Sequence, residues 1–418
     1  VVTPEIDADR LLARLTAVAR ISASPPPSVT RLAWSAEWRA AAEVLLDWAA
    51  QAGAGAWIDP VGNVIAERAG ADPSLRPLAT GSHLDTVPEG GALDGAYGVV
   101  AAWEVLAALE DGDARLRHPV RAVAFVNEEG VVAPPYTGSR AVAGLVDPAE
   151  LSRPGPDGRS LRAVLEGAGC HPEALLEAAW PDGAAAMIEL HVEQGPVLDG
   201  SGVPVGVVTG ITGQQRGTVE VTGRANHAGT TPMAMRRDAL VAASELVLAV
   251  EGLAGAGRCE VATVGRLQVE PGAANVIPGR VVMSFDVRSS AEDRMEAAVE
   301  DLGRRAKEIA AARGVDVEVD PWTPTPPVPA DPALSDLIEA AGRGLGLATL
   351  RVPSGAGHDC AILAGRAPIG MIFVPSRGGG SHHGSEATPD ADLVHGTRVL
   401  LRALLDLDAT VDLHGTAR

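Results

Sequence analysis

The feature that most restricts how this chain can fold is a change in how its strand-like and helix-like runs alternate. From Ile65 through Glu189, short apolar runs take turns with segments of helical periodicity. Val120–Val126 is rich in β-formers, Ala96–Leu109 reads as a helix and Ala184–His191 as a buried strand, while Asp7–Arg20 and Ala36–Ala52 carry helical periodicity ahead of them. Such alternation predicts an α/β sheet with helices on its faces. From about Gly213 the order becomes strand (Arg216–Thr222), helix (Ala234–Glu251), strands (Glu260–Val269 and Arg280–Arg288), helix (Ala291–Arg313) and strand (Val315–Val319). That β-α-β-β-α-β order is the split βαβ unit of ferredoxin-like domains. A proline-rich stretch from Pro321 to Pro329 reads as a stiff linker, after which a helix at Pro332–Gly344 and a strand at Gly370–Val374 resume the first style. The expectation is a larger α/β domain, residues 1–212 and 326–418, interrupted by a smaller ferredoxin-like domain at 213–325 that serves as lid and dimerisation surface.

Two segments at expected strand ends carry chemistry. Gly81-Ser-His-Leu-Asp-Thr-Val-Pro88 places His83 and Asp85 two residues apart, on one side of an extended chain. Phe125-Val-Asn-Glu-Glu-Gly130 delivers Glu128 and Glu129, expected on opposite faces, which leaves one to ligate a metal and the other free as a base. Further candidate ligands are Asp94, His191 in Glu189-Leu-His-Val-Glu-Gln-Gly-Pro196, and His382 in Gly380-Ser-His-His383. Imidazoles with carboxylates suit zinc, manganese or cobalt, and a shared carboxylate is a usual means of holding two ions together. The constellation reads as a metallohydrolase.

Composition narrows the partners. A net charge of −20 over 418 residues argues against nucleic acid or an anionic membrane, both of which call for basic footprints. The three cysteines show no paired spacing, so neither a disulfide framework nor a zinc finger is expected. Without a signal-like start or a long apolar run, the chain is expected to be soluble and cytoplasmic.

These segments, together with Val29-Thr-Arg-Leu-Ala-Trp-Ser35, Ala225-Asn-His-Ala-Gly-Thr-Thr-Pro-Met233, Ala273-Ala-Asn-Val-Ile-Pro-Gly279 and Ser354-Gly-Ala-Gly-His-Asp359, resemble the hydantoinase/carbamoylase branch of the M20 amidohydrolase and carboxypeptidase family. The resemblance spans nearly the whole chain. It implies two divalent ions per subunit (Zn, Mn or Co), with His83 and His191 on one, Glu129 and His382 on the other, and Asp94 bridging. The ligand directly follows a serine in the family, which selects His382 over His383. Asp85 would hydrogen-bond the second nitrogen of His83 and fix its tautomer. Glu128 would be the general base that takes a proton from the attacking water and returns it to the departing amine. Gln194, Asn275 and Arg288 fall where the family contacts a substrate carboxylate or amide, and His358 lines the site. His227 would stabilise an oxyanion across the interface of a homodimer formed through the inserted domain.

The implied reaction is hydrolysis of a linear amide or ureido C–N bond in a small carboxylate-bearing substrate, first an N-carbamoyl-L-amino acid. Allantoate or 3-ureidopropionate comes next, then an N-acyl amino acid deacylase or peptidase. A catalytically inactive metal- or ligand-binding protein is the non-enzyme rival, against which the spare Glu128 speaks. Two stretches depart from the family's pattern: Val131–Thr137, one residue shorter than usual, and His383-Gly-Ser-Glu386.

Overall fold

The computed structural model describes residues 3–155 and 157–410. Its strands begin with β1 (Gly55–Ile58), β2 (Val64–Arg68), β3 (Leu78–His83), β4 (Val120–Phe125), β5 (Ala186–Val192) and β6 (Val205–Ile211). Next come β7 (Gly213–Thr222), β8 (Asn226–His227), β9 (Val261–Thr263), β10 (Leu267–Glu270), β11 (Val276–Ile277), β12 (Arg280–Ser289) and β13 (Asp316–Pro321). β14 (Val328–Pro329), β15 (Thr349–Ser354) and β16 (Ile369–Val374) complete the series among the described residues. Packing divides the chain into two units, one ending at Thr209 and resuming at Ala330, the other Gly210–Pro329.

In the first unit the sheet runs β1-β2-β4-β3-β5-β16-β6. Its centre, β4-β3-β5-β16, is parallel, while β1, β2 and β6 join antiparallel. Every residue of β3, β5 and β16 is buried, as parallel strands covered on both faces require. One cover is the helix Ala96–Asp111, buried at each position from Ala96 to Leu109 because it packs against β3 and against the helices Ala8–Ala19, Ala36–Gln51 and Asp390–Thr410. Its polar atoms are answered inside the core. Trp103 donates to the Leu45 carbonyl (2.7 Å), Tyr97 to that of Leu393 (2.7 Å), and the buried Glu104 meets Arg10 (2.8 Å) and Arg14 (3.1 Å). Parallel strands bring their carboxyl ends to one edge, and that edge carries the motif residues.

In the second unit the antiparallel order is β10-β12-β7-β13, with β9 also on β12. Alternate residues of β7 and β12 are buried, and Val219, Val221, Met283 and Phe285 share a core with Leu246 and Val250 of the helix Ala239–Gly255 and Leu302 of Glu292–Arg313. Three local expectations are corrected. The strand read as Glu260–Val269 is interrupted at Val264–Arg266, where the Arg266 N–H goes to the Ser284 hydroxyl (3.1 Å) instead of continuing the ladder. The helix read from Ala234 starts at Ala239, because Asp238 caps it through the N–H groups of Leu240 and Val241, while Met233–Met235 forms a separate 3₁₀ turn. The proline-rich stretch is not a free linker: Pro321 ends β13, Thr325 bridges Gln214, and β14 pairs with the end of β6, Val328 opposite Ile211 and Pro329 opposite Gly210. Among the described residues, no helix is long and apolar enough to cross a membrane.

Candidate metal centre

Adjacent parallel strands β3 and β5 carry His83 and His191 at their carboxyl ends, with ring centroids 5.8 Å apart. Between them and the loop after β16 sits Asp94. Its Oδ1 faces His191 Nε2 (3.2 Å) and His83 Nε2 (3.5 Å); its Oδ2 faces His382 Nε2 (3.2 Å). His382 also approaches Glu129 Oε1 (3.6 Å), and Glu128 Oε2 lies 3.9 Å from His83 Nε2. The sets His83–Asp94–His191 and Asp94–Glu129–His382 therefore share one carboxylate, one set on each oxygen. His383 turns away to Ser385, its Nδ1 3.0 Å from that hydroxyl, so His382 is the histidine that joins the cluster.

The donor set fits a cation. His83 Nδ1 is 2.9 Å from the main-chain oxygen of Asp85, and His191 Nδ1 is 2.8 Å from that of Val192. A carbonyl only accepts, so each Nδ1 carries the hydrogen and a neutral ring aims its Nε2 lone pair at Asp94. The Gly95 N–H, directed at His191 Nε2 (3.1 Å), agrees. Lone pair facing carboxylate calls for a proton or a cation between them. Burial would lower His83, but Glu128 and Asp94 outweigh it and raise its pKa well above the usual range. Burial would raise Asp94, yet the three imidazoles hold it well below. The hydrogen bond to Asp94 lifts His382 to about 8. Burial pushes Glu128 well up, opposed by His83 and reinforced by Asp359 and Glu129.

Two expectations about this region are corrected. Glu128 and Glu129 do not point to opposite faces: with His83 they offer atoms within 4.8 Å of one another. Asn127 takes a left-handed φ of 58° just beyond β4, which ends strand alternation before the glutamates. The contact to His83 comes from the main chain of Asp85, not from its carboxylate. That carboxylate accepts the N–H of Glu128 (3.2 Å) and of Glu129 (3.3 Å), fixing the backbone of both.

The supports were less visible in the sequence. Arg31, wholly buried, donates to the carbonyls of Leu84 (2.8 Å), Val18 (2.9 Å) and Ile21 (3.2 Å), which gives the Val29–Ser35 motif the task of holding the turn after His83. Burial pulls its guanidinium down to about 10, with Asp85 opposing. Glu386, quoted above only as part of a departure from the family, accepts the N–H of Leu93 (2.8 Å) and of Asp94 (3.1 Å). Its carboxyl is raised to about 6 by burial. An acid four residues beyond His382 was the available signal.

Other predicted residues divide by unit. Gln194 is at the cluster, its amide donating to Asp94 Oδ2 (3.0 Å), as does the Ser381 hydroxyl (3.1 Å). His358 is 2% exposed: it packs edge-on against His191 at 4.8 Å and holds the Ser354 hydroxyl at 2.8 Å, so it backs a ligand rather than facing an open pocket. Cys360 is fully buried, and burial raises its thiol well above the usual range, which removes it as a nucleophile. A cavity of about 710 Å³ at the opposite ends of the strands, lined by Trp57, Pro77, Pro119, Arg121 and Trp180, shares no residue with the cluster.

In the second unit, β8 and β11 bring His227 beside Val276, and Asn275 accepts the Ala228 N–H (3.0 Å). His227 is exposed, and its Nδ1 accepts from Gly229 (3.0 Å) and Thr230 (3.2 Å), which leaves the hydrogen of a neutral ring on Nε2. Arg288 lies on β12 and pairs with Asp286 (3.1 Å).

A shared carboxylate between two imidazole-bearing groups, at the carboxyl edge of a parallel sheet and beside a spare glutamate, defines a metal-dependent hydrolase. Residues 79–406 match Peptidase family M20/M25/M40. The chain is 39% identical to an N-carbamoyl-L-amino-acid amidohydrolase of Paenarthrobacter aurescens, covering 96% of this chain and 98% of that one. It is 35% identical to an allantoate amidohydrolase of Bacillus subtilis, covering 93% and 95%. A crystal structure of a hydantoinase/carbamoylase family amidase from Burkholderia multivorans superposes with a TM-score of 0.91 at 36% identity, over 96% of this chain and 98% of the other. The chain belongs to the M20/M25/M40 family.

Proposed function

We propose that the protein hydrolyses N-carbamoyl-L-amino acids to the amino acid, carbon dioxide and ammonia, consuming one water. The observation that carries the reaction type is the division of Asp94, one oxygen toward His83 and His191 and the other toward His382, with Glu128 alongside. The full-length likeness to an N-carbamoyl-L-amino-acid amidohydrolase supports the substrate. Allantoate is the second reading, favoured by the relative from Bacillus subtilis.

His83, His191, Glu129 and His382, with Asp94 between, would hold two divalent ions, zinc, manganese or cobalt. Such ions supply Lewis-acid polarisation of a carbonyl and favour deprotonation of a nearby water. Glu128 takes the proton of the attacking water and delivers it to the departing nitrogen. Its carboxylate lies beside His83 without being needed among the ligands, which leaves it free for both transfers. Asp85 keeps Glu128 and Glu129 in place through their main-chain N–H groups. Gln194, Asn275 and Arg288 receive the substrate's carboxylate and amide; Arg288 offers a planar fork for the carboxylate.

In this reading the Gly210–Pro329 unit is a lid and dimerisation domain, and the succession β7, helix, β9 with β10, β12, helix, β13 supports its ferredoxin-like character. From it His227 presents Nε2–H to the developing oxyanion of a partner's substrate.

Ammonia release from N-carbamoyl amino acids, allantoate and 3-ureidopropionate, and free amino acid release from N-acyl amino acids and dipeptides, by metal-stripped protein with and without manganese or zinc, test the reading. Metal-dependent turnover of the carbamoyl substrates is expected. Turnover confined to acyl or peptide substrates would overturn it. Mixing His227→Ala with Glu128→Gln subunits should restore activity if His227 acts in trans; no recovery in confirmed heterodimers would refute that part.

A further inference from the structure

One half-buried side chain near the cluster has no part in the chemistry above. Glu386 directs a single carboxylate oxygen, Oε2, at two main-chain donors, the N–H of Leu93 and the N–H of Asp94. Its other oxygen, Oε1, is sealed from solvent without a hydrogen-bond partner. Two carboxylates, Glu386 and Asp94, thus lie close together, an arrangement that burial and like charge both oppose unless something is gained.

What is gained is visible in the loop that carries Asp94. A Cβ on Gly91 would stand 2.0 Å from Glu386 Oε2, and a Cβ on Gly95 would stand 2.4 Å from the His83 ring, at a φ of 63° that disfavours any side chain. The loop is therefore pressed between Glu386 at one end and His83 at the other, with Asp94 next to the second glycine. Asp94 must keep Oδ1 toward His83 and His191 and Oδ2 toward His382, and a small shift of its main chain would lose one of the two. Glu386 sits four residues after His382 on the segment following β16, whose closure is held by Arg377 N–H to the Ala387 carbonyl (2.9 Å) and by the Thr388 hydroxyl to that of Pro375 (2.7 Å).

We infer that Glu386 is a positioning residue for the shared carboxylate: by clamping the N–H groups of Leu93 and Asp94 it sets Asp94 in register with His382, so one loop delivers both a ligand and the brace for the bridge. This rests on the metal-binding reading of the cluster. The brace acts through acceptor geometry, which a glutamine oxygen reproduces and an alanine does not.

The test is metal uptake by the metal-stripped full-length protein, titrated with manganese or zinc, alongside melting temperature. Glu386→Ala is expected to weaken metal binding about 10- to 100-fold, the usual range for groups that orient ligands. Glu386→Gln should recover most of that loss. Gly91→Ala, which leaves the charge in place but intrudes on the same contact, should weaken binding like Glu386→Ala. Wild-type affinity in Glu386→Ala, or Glu386→Gln as weak as Glu386→Ala, would overturn the inference. If Glu386→Ala does not fold, Glu386→Gln decides alone: near-wild-type uptake supports positioning, and a tenfold or greater loss overturns it. Failure of the wild-type protein to take up metal would instead bring down the functional reading.

Discussion

The two halves of the cluster around Asp94 are built differently. On the Oδ1 side, His83 and His191 have 4% and 1% of their side chains exposed, lie at the carboxyl ends of two neighbouring buried strands, and have their second nitrogens tied to main-chain carbonyls. On the Oδ2 side, His382 is 51% exposed and rides a loop at a left-handed φ of 57°. Folding the parallel sheet places the first pair, because neither histidine can move without disturbing strand register. The second half depends on how a loop closes, and loops open at far lower free-energy cost than core strands. One half of this centre is thus part of the fold, and the other is assembled on it.

The largest effect is expected from the carboxylate that lies beside His83 and Glu129 without being assigned as a ligand. Glu128→Gln is expected to cut kcat by about 10²- to 10⁴-fold, the range for general acid–base catalysis, with metal content unchanged. A rate within a few-fold of wild type would exclude Glu128 as the base.

Paired deletions then compare the halves directly. His191→Ala should lose metal and destabilise the metal-free protein by about 1–3 kcal/mol, since it orphans buried groups such as the Val192 carbonyl. His382→Ala should weaken metal binding too, yet cost the metal-free protein about 1 kcal/mol or less, as half-exposed ion pairs do. Denaturant melts of both variants, stripped of metal, decide it; equal losses would erase the distinction between the halves.

The smallest effect is in pH. His382 is raised from 6.5 to about 8 by its hydrogen bond to Asp94, so its charged form is favoured in the folded state. The stability this supplies is complete below about 6.5 and is lost as pH rises through about 8. In metal-free protein, the difference in denaturation midpoint between wild type and His382→Asn should shrink over that interval. A difference independent of pH would show that the pair adds nothing.

Much of this centre was legible because residue types and their places in the chain carry it. His83, Asp94, Glu129, His191 and His382 stand in recognisable motifs, and the β-rich runs before them announce strands whose carboxyl ends must share an edge. What could not be read is set by backbone conformation and distant contacts. The convergence of Glu128 with Glu129 follows from φ at Asn127, and the replacement of the Asp85 carboxylate by its carbonyl follows from the turn that Arg31 holds. Glu386 meets Asp94 across 292 positions, a separation invisible to any local pattern. In the second unit, the break at Gly265 depends on a hydroxyl in a partner strand, which periodicity within one strand cannot reveal.

The pairing of β6 with β14 has an evolutionary reading. Because Val328 lies opposite Ile211 and Pro329 opposite Gly210, the chain leaves and re-enters the first unit through neighbouring points, about one strand spacing of 4.8 Å apart. A segment with adjoining ends can be lengthened, replaced or tuned as a cassette without shifting the strands from which it departs. His227, Asn275 and Arg288 all lie within that cassette, and every residue of the Asp94 cluster lies outside it. The substrate contacts proposed for Asn275 and Arg288 can therefore drift without altering the strands that carry the Asp94 cluster.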